Sequence, residues 1–142
     1  MAEKTGFGWV DVDVMLFGQI SIHITKIEYK TSQEKQNGYG RGSSPTRRSR
    51  GKKESTLSMS IAMVEIAQIE RAARAKYGKK ASLLDIEPFD IPVVYDNGEQ
   101  LVVDTIYGVE FTSTGRGASE GDMDIIQELE CICFDVDYNQ PI

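Results

Sequence analysis

Two stretches near the start of the chain alternate strictly between apolar and polar residues, which is the period of a half-buried β-strand. The first is WVDVDVML at residues 9–16, and the second is ISIHITKIEY at residues 20–29. Because only a short Gly-containing turn separates them, the pattern predicts a β-hairpin. In the second stretch the apolar parity changes between Ile24 and Ile27, which indicates a β-bulge near Lys26.

Residues 55–78 predict a strand that runs into a helix. STLSMSIAM at residues 55–63 alternates again, and VEIAQIERAARAKYG at residues 64–78 changes to helical spacing, with an apolar stripe through Ile66 and Ile69. Basic residues in the last turns favour a helix C-terminus, and Gly78 is a typical helix stop. This is the one helix that the sequence predicts.

The rest of the chain predicts strands. FDIPVVY is a strand in which Pro92 favours an edge or an end, and the Asn-Gly turn in DNGE joins it to a returning strand with a kink at Gly108. After a second flexible loop, DIIQELECICFDVDY at residues 124–138 predicts a long closing strand. We therefore expect one domain, residues 1–142, of mainly β (α+β) class. The expected architecture is an antiparallel β sandwich or barrel with one packed helix.

Residues 31–53, which we call the basic arm, follow neither a strand nor a helix period. They carry seven Lys or Arg residues against one Glu, a net charge of +6, whereas the whole chain carries −6 and the remainder therefore −12. A loop of this length in a compact domain is unusual, and it tends to be functional or to be disordered until it binds. Charge asymmetry of this kind concerns partners rather than folding. The sequence thus predicts a long basic loop and makes it the first candidate for a functional segment.

The candidate contact residues lie in YGRGSSPTRRSRGKK, residues 39–53. Arg47, Arg48 and Arg50 come first, because a guanidinium binds a carboxylate through two hydrogen bonds. Glycines with permissive backbone angles and a proline with a fixed one would set the path of the loop. The full set of candidate inter-subunit residues is Tyr39, Gly40, Arg41, Gly42, Pro45, Arg47, Arg48, Arg50, Lys52 and Lys53.

Three interpretations of the basic arm are open at this point. It is a solvated mobile loop, a phosphate-binding surface for nucleic acid, or a docking element for an acidic protein surface. The acidic overall charge and the lack of interleaved aromatic residues beyond Tyr39 weigh against nucleic acid. The nearest acidic surface belongs to a second copy of the chain, since an acidic body and a basic arm are complementary head to tail.

The sequence does not describe an enzyme, and we expect no cofactor. No serine lies in a G-x-S-x-G turn, and GYGRG lacks the spacing of a nucleotide-binding loop. Two acidic pairs are candidates for acid-base chemistry, but each lies on one face of an alternating strand, where solvated residues are the ordinary interpretation. These pairs are Asp11/Asp13 and Asp135/Asp137.

Metal and membrane sites also find little support in the sequence. His23 is the only histidine, so a multi-histidine metal site has no ligands from which to form. The spacing of Cys131 and Cys133 suits neither an unstrained disulfide nor the usual zinc pattern, and we expect reduced structural thiols. No window approaches the length of an apolar membrane span, and no signal peptide is evident.

The motif in the basic arm resembles a known family. YGRGSSPTRRSRG, residues 39–51, is similar to the Y-G-x-G-x-x-P-x-x-R-x-R-G stretch of a family of phage tail tube proteins. PFDIPVVYDNGEQLVVDTIYGVEF, residues 88–111, resembles the later hairpin of that family. The resemblance implies the tail tube fold, which type VI secretion and contractile injection system tubes share. It further implies hexameric rings that stack head to tail around a conduit for DNA or effectors, with the basic arm reaching a neighbouring subunit or ring.

The resemblance also implies partners and a location. We expect tape-measure, baseplate and sheath proteins as partners, DNA that passes without specific binding, and a place in the virion tail after assembly in the host cytoplasm. The acidic pairs Asp11/Asp13 and Asp135/Asp137 are candidates for a lumen lining or a partner patch. Two alternatives are a tail completion or baseplate tube-initiator protein of the same fold, and a monomeric β-barrel module that binds nucleic acid through the arm.

Overall fold

The computed structural model describes residues 6–141, so the expected domain limits at residues 1 and 142 lie outside the described residues. Most of the described chain is β-strand. The strands are β1 (Val12–Leu16), β2 (Gln19–Ile20), β3 (Ile24–Tyr39), β4 (Pro45–Ala62), β5 (Phe89–Asp96), β6 (Leu101–Phe111), β7 (Ile126–Ile132) and β8 (Asp135–Asp137). The helices among the described residues are α1 (Met63–Tyr77) and two short 3-10 segments, Trp9–Asp11 and Leu83–Asp85.

All strand pairs are antiparallel, and the strands follow the order β2-β1-β5-β6-β7-β4-β3, with β8 paired to β6. The sheet curls over, because Tyr29 on the last strand of this order lies against Tyr95 on β5. The curled sheet encloses one apolar core, to which α1 contributes. The expectation of a mainly β fold with one packed helix is confirmed.

The core is built from the buried faces of the strands and one stripe of the helix. Met59 and Ile61 on β4 are fully buried, as the alternation in residues 55–63 predicts. Helix α1 buries Ile66, Ile69 and Ala73 and ends at Gly78, whose positive φ of 122° favours glycine. The predicted helix is therefore confirmed to within one residue at each end.

The first predicted hairpin is much shorter than the sequence indicates. β1 and β2 pair only through Met15↔Ile20 and Leu16↔Gln19, and β3 then pairs with β4 instead of β1. The chain turns away at Ser21, whose hydroxyl donates to Glu65 on the helix at 2.6 Å. The bulge expected near Lys26 is present as a register shift between Ile24 and Lys26.

The second predicted hairpin, β5–β6, is confirmed. Gly98 in its turn has φ 87°, and Gly108 has φ 66° at a bulge where its backbone N–H donates to the Asp90 carboxylate at 3.1 Å. β5 is an interior strand between β1 and β6, so the edge prediction is wrong for this strand. Val93 is the last residue of β5 that pairs with β1. Its neighbour Pro92 has no partner on β1, so the N–H that proline lacks is not needed there.

The single closing strand predicted over residues 124–138 is also wrong. Residues 126–132 form β7, which pairs mainly with β4, and residues 135–137 form β8, which pairs with β6. Cys133 and Phe134 carry the chain from one pairing to the other, and the Phe134 N–H donates to the Tyr107 carbonyl at 2.8 Å. The mixed apolar parity of this stretch reflects that change of partner.

Candidate inter-subunit arm

The basic arm is a long antiparallel hairpin rather than an irregular loop. β3 and β4 pair with each other as far as Tyr39↔Pro45, and only residues 40–44 form the turn at the tip. The expected loop over residues 31–53 is therefore corrected to two strands and a short turn. Sequence periodicity cannot reveal these strands, because both faces of the hairpin are polar and exposed.

Within residues 6–141, the arm extends beyond the sheet with no strand paired to its outer edges. β4 acquires its second neighbour, β7, only from Thr56 onward, and β3 has no second neighbour among the described strands. Nine residues on β3, from Thr31 to Tyr39, give the ribbon a length of about 30 Å. A lone two-stranded ribbon is marginally stable in water, and its unpaired backbone groups are templates for a further strand. The arm thus has the properties of an element completed by a partner.

A β-bulge decides which side chains share a face of the arm. Gln33 pairs with Lys53 and Lys35 pairs with Arg50, so Gly51 and Lys52 both lie opposite Glu34. The Gly51 carbonyl accepts a hydrogen bond from the Gln33 side chain at 3.0 Å, and an added Cβ would lie only 3.3 Å from the Glu34 Cβ.

The bulge reverses the alternation on β4, because it adds one residue to one strand only. Toward the tip, the even-numbered residues Arg48 and Arg50 therefore share the face of Lys53, with Lys35 beside them on β3. We call Lys35, Arg48, Arg50 and Lys53 the cationic face. It continues the face of β3 and β4 that is buried in the body at Tyr29 and Leu57.

The cations of the arm have no carboxylate partners among residues 6–141, where the two ion pairs are Lys26–Glu28 and Arg116–Glu70. Arg48 donates from Nε to the Asn37 side-chain oxygen at 2.9 Å, which holds its guanidinium along the strand. Arg47 lies on the opposite face over Gly38 and donates to the Tyr39 carbonyl at 3.3 Å. The charges of the cationic face are therefore available to an external acidic group.

The tip of the arm explains its glycines and proline. Gly42 has φ 112°, a conformation that side chains rarely adopt, and Pro45 begins β4 with its fixed φ. A Cβ on Gly40 would lie 3.2 Å from the Thr46 methyl group. The structure brings all ten candidate inter-subunit residues together on this one hairpin, and their contact role stays a prediction.

The four acidic candidates do not form one cluster. The Asp11 carboxylate accepts from the Gly8 N–H at 2.8 Å in a 3-10 turn, and so it is not part of β1. Asp13 and Asp137 point from the same outer sheet face, but they are three strand spacings apart, about 14 Å. Asp135 lies beside the arm, in a groove of about 410 Å³ that Lys35 also lines. Their role as a lumen lining or partner patch stays a prediction.

A buried polar network at the root of the arm was missed by sequence reasoning. The Tyr29 hydroxyl lies 2.5 Å from that of Tyr95 and donates to the carboxylate of Asp104, which also accepts from the Asn139 N–H at 2.8 Å. Asp104 is only 7% exposed. Burial raises the pKa of Tyr29, and the hydrogen bond to Asp104 raises it further, while burial likewise raises the pKa of Tyr95. The sequence does contain one indication of this network, which is the lone Asp in the apolar run LVVDTIY. A carboxylate that is buried with such a strand requires hydrogen-bond donors around it.

The remaining reactive groups in the described part of the chain do not form a site. Cys131 is buried and Cys133 half-buried, both are free thiols, and burial raises the pKa of Cys131 to about 12. Across residues 6–141 there is no grouping of three or more His, Cys, Asp or Glu side chains suited to a metal ion. In the same range, no helix has the length and apolar character needed to cross a membrane.

No family model and no curated protein matches this sequence. Solved structures do match. The cap of the anti-feeding prophage, its tube-terminating protein, has a TM-score of 0.69 at 14% identity over 99% of this chain and 95% of that one. A sheath/tube terminator of the extracellular contractile injection system PVC matches with a TM-score of 0.64 at 12% identity, over 98% of this chain and 100% of that one. A chain of the native gene transfer agent virion matches with a TM-score of 0.62 at 13% identity, over 95% of this chain and 100% of that one. The chain therefore has a phage tail tube-type fold, which confirms the resemblance at the level of the fold.

Proposed function

We propose that the chain is a structural, non-enzymatic subunit of the tube of a phage tail or of a phage-like injection device. Copies join as hexameric rings, and the rings stack head to tail around a conduit for DNA or effectors. The fold shared with tube and tube-terminator proteins supports this assignment. The observation that carries it is the free-standing arm, whose cations lack carboxylate partners in residues 6–141 of an otherwise acidic chain.

The arm joins subunits by two kinds of contact. Its exposed edges offer backbone N–H and C=O groups to a strand of the next copy. Its cationic face, with Arg48 and Arg50 at the centre, binds carboxylates on the −12 body of that copy, and each guanidinium supplies two parallel hydrogen bonds. Polar docking of this kind suits a subunit that stays soluble until it meets its neighbours.

The location and further partners follow from the same assignment. One matching structure is that of a PVC sheath-tube complex, with a TM-score of 0.58 at 14% identity. By analogy, this chain contacts sheath and baseplate proteins, assembles around a tape-measure protein in the host cytoplasm, and resides in the tail of the finished particle. DNA passes along the tube without specific binding, because the acidic body repels phosphate.

Charge reversal on the arm tests the proposal. In the variant Arg48→Glu/Arg50→Glu, the concentration needed for assembly should rise about 30-fold or more, corresponding to about 2 kcal/mol or more. Negative-stain electron microscopy over a concentration series measures this threshold. Lys79→Glu/Lys80→Glu is the matched control, because it makes the same charge change in the exposed loop after α1. Rings or tubes of normal yield from the arm variant would contradict the proposal.

A second candidate is a protein of the same fold that ends or begins a tube instead of extending it. Two of the matching structures are described as a tube-terminating cap and a sheath/tube terminator, and this supports the second candidate. A terminator or initiator forms single rings at all concentrations, whereas a tube subunit forms tubes that lengthen as the concentration rises. The same microscopy series separates the two.

The alternative of a monomeric nucleic-acid-binding module makes a different prediction. Its arm would bind DNA with an affinity that falls steeply with salt, and the protein would not self-associate. Fluorescence anisotropy with a labelled duplex, beside light scattering of the protein alone, distinguishes this module from a tube subunit.

A further inference from the structure

The root of the arm is held by a segment far from it in sequence. Tyr138 donates from its hydroxyl to Thr31 Oγ1 at 3.0 Å, and its ring stacks on that of Tyr29 with centroids 6.0 Å apart. Thr31 Oγ1 in turn lies 3.0 Å from the Ser55 hydroxyl on the other strand of the hairpin. One tyrosine therefore contacts the hairpin at the point where it leaves the sheet.

The two residues after Tyr138 are fixed to the body. Asn139 has φ 51° and donates its N–H to the buried Asp104 carboxylate at 2.8 Å. Gln140 donates its N–H to the Val103 carbonyl at 2.7 Å, and its side-chain oxygen accepts from the Thr105 hydroxyl at 2.7 Å. Three hydrogen bonds thus anchor Asn139 and Gln140 to β6, while Tyr138 contacts the arm.

Hydrogen bonds supply little else to hold the direction of the arm, although Asp135 and Val136 flank its root. Within the described part of the chain, the bond between Tyr138 and Thr31 is the one hydrogen bond from residues 31–53 to elements other than β3 and β4. β4 has no lateral partner before Thr56. A ribbon hinged at one end would sample many directions, and ordering it only on docking would weaken binding.

We propose that residues 138–140 act as a latch that fixes the direction of the basic arm before assembly. This inference rests on the proposed function, because a preset arm matters only if it docks on another copy. The latch makes Tyr138 a positioning residue: it lies outside the arm and acts by lowering the entropy that the arm loses on docking.

The test compares Tyr138→Phe, which removes only the hydroxyl, with Tyr138→Ala, which also removes the ring stack. Hydrogen exchange of the arm amides on unassembled protein should accelerate about fivefold for the Phe variant and about tenfold for the Ala variant. Amides of β5 and β6 should keep their wild-type rates. The assembly threshold by light scattering should rise in the same order.

Tyr77→Ala is the control, because it removes a partly buried tyrosine from α1 without touching the arm. Unchanged arm exchange in Tyr138→Ala, or an equal arm effect from Tyr77→Ala, would refute the latch. Faster arm exchange with an unchanged assembly threshold would refute its role in docking. If wild-type protein never assembles, the proposed function fails, and the exchange data alone decide whether residues 138–140 hold the arm.

Discussion

Lys35 lies directly opposite Arg50 across the basic arm, because Gly51 and Lys52 are bulged out against Glu34. Regular pairing would instead place Gly51 opposite Lys35 and would put Arg48 and Arg50 on the other face. The bulge therefore concentrates positive charge on the face that continues the buried side of the sheet. This backbone irregularity, at a glycine, decides which face of the arm carries Arg48 and Arg50.

Substitution of Gly51 should test this dependence. In Gly51→Val, the new side chain would crowd Glu34, where a Cβ already lies 3.3 Å from the Glu34 Cβ, and β-branched residues favour a regular strand. We expect a thermal midpoint close to that of the wild type and an assembly threshold raised about tenfold, the equivalent of 1.4 kcal/mol. Gly117→Val is the control, because its Cβ would meet no atom within 4 Å. Normal assembly of Gly51→Val would show that the bulge is dispensable.

Salt should weaken assembly if exposed charges drive it. The Debye length falls from about 30 Å at 0.01 M to about 10 Å at 0.1 M, so cation-carboxylate contacts lose strength over this range. The assembly threshold of the wild type, measured by light scattering, should rise with sodium chloride. Arg48→Glu/Arg50→Glu should show a flatter salt dependence. A wild-type threshold that is independent of salt would assign assembly to apolar or backbone contacts instead.

Alkaline pH should destabilise the folded subunit through Tyr29. Its folded pKa is raised above the ordinary value of 10.0, so its contribution to stability is complete below about pH 10 and is lost as the pH rises further. Burial shifts the pKa of Cys131 in the same direction, from 9.0 to about 12, so the decline begins near pH 9. Urea unfolding at steps from pH 7 to 11 measures the effect.

Tyr29→Phe separates the contribution of Tyr29 from those of Tyr95 and the two thiols, whose pKa values burial also raises. At pH 7 this variant should lose about 1–3 kcal/mol, because the buried Asp104 carboxylate loses a donor. Its stability should then fall less steeply than that of the wild type above pH 10. An identical slope in both proteins would mean that Tyr29 does not titrate with unfolding.

Two isoleucines should differ sharply in their importance to the core. Ile61 is 0% exposed, and Ile61→Ala should lower the free energy of unfolding by about 2–5 kcal/mol through lost burial and a residual cavity. Ile22 is 81% exposed, and Ile22→Ala should change it by less than about 0.5 kcal/mol. Denaturant titration of both variants gives the comparison. Equal losses would contradict the assignment of the core.

The elements that carry an apolar period were predictable from sequence. Helix α1 and the β5–β6 hairpin lie where their patterns place them, because burial of one face imposes the period. The strands of the arm were not predictable, since neither face is buried and Gly51 breaks the alternation. The end of β7 was not predictable for another reason. Residues 126–138 have the composition of one continuous strand, but the chain passes at Cys133 and Phe134 from pairing with β4 to pairing with β6.

The candidate site was predictable in composition but not in geometry. The sequence identifies the arm residues and their charge, since both are local properties. It cannot pair Tyr29 with Asp104, which lies 75 residues away, or Tyr138 with Thr31, which lies 107 residues away. Contacts of this kind depend on how the sheet curls, and no local pattern encodes that.

In the proposed assembly, the free edges of the arm have a further consequence for a subunit that has not yet docked. Two such ribbons from different molecules offer complementary backbone groups to each other, which is how strand edges begin irregular aggregates. A net charge of +6 on every arm makes this encounter repulsive, while an acidic body attracts the same arm. In the proposed assembly, positive charge on the ribbon would thus also keep like edges apart before an arm docks.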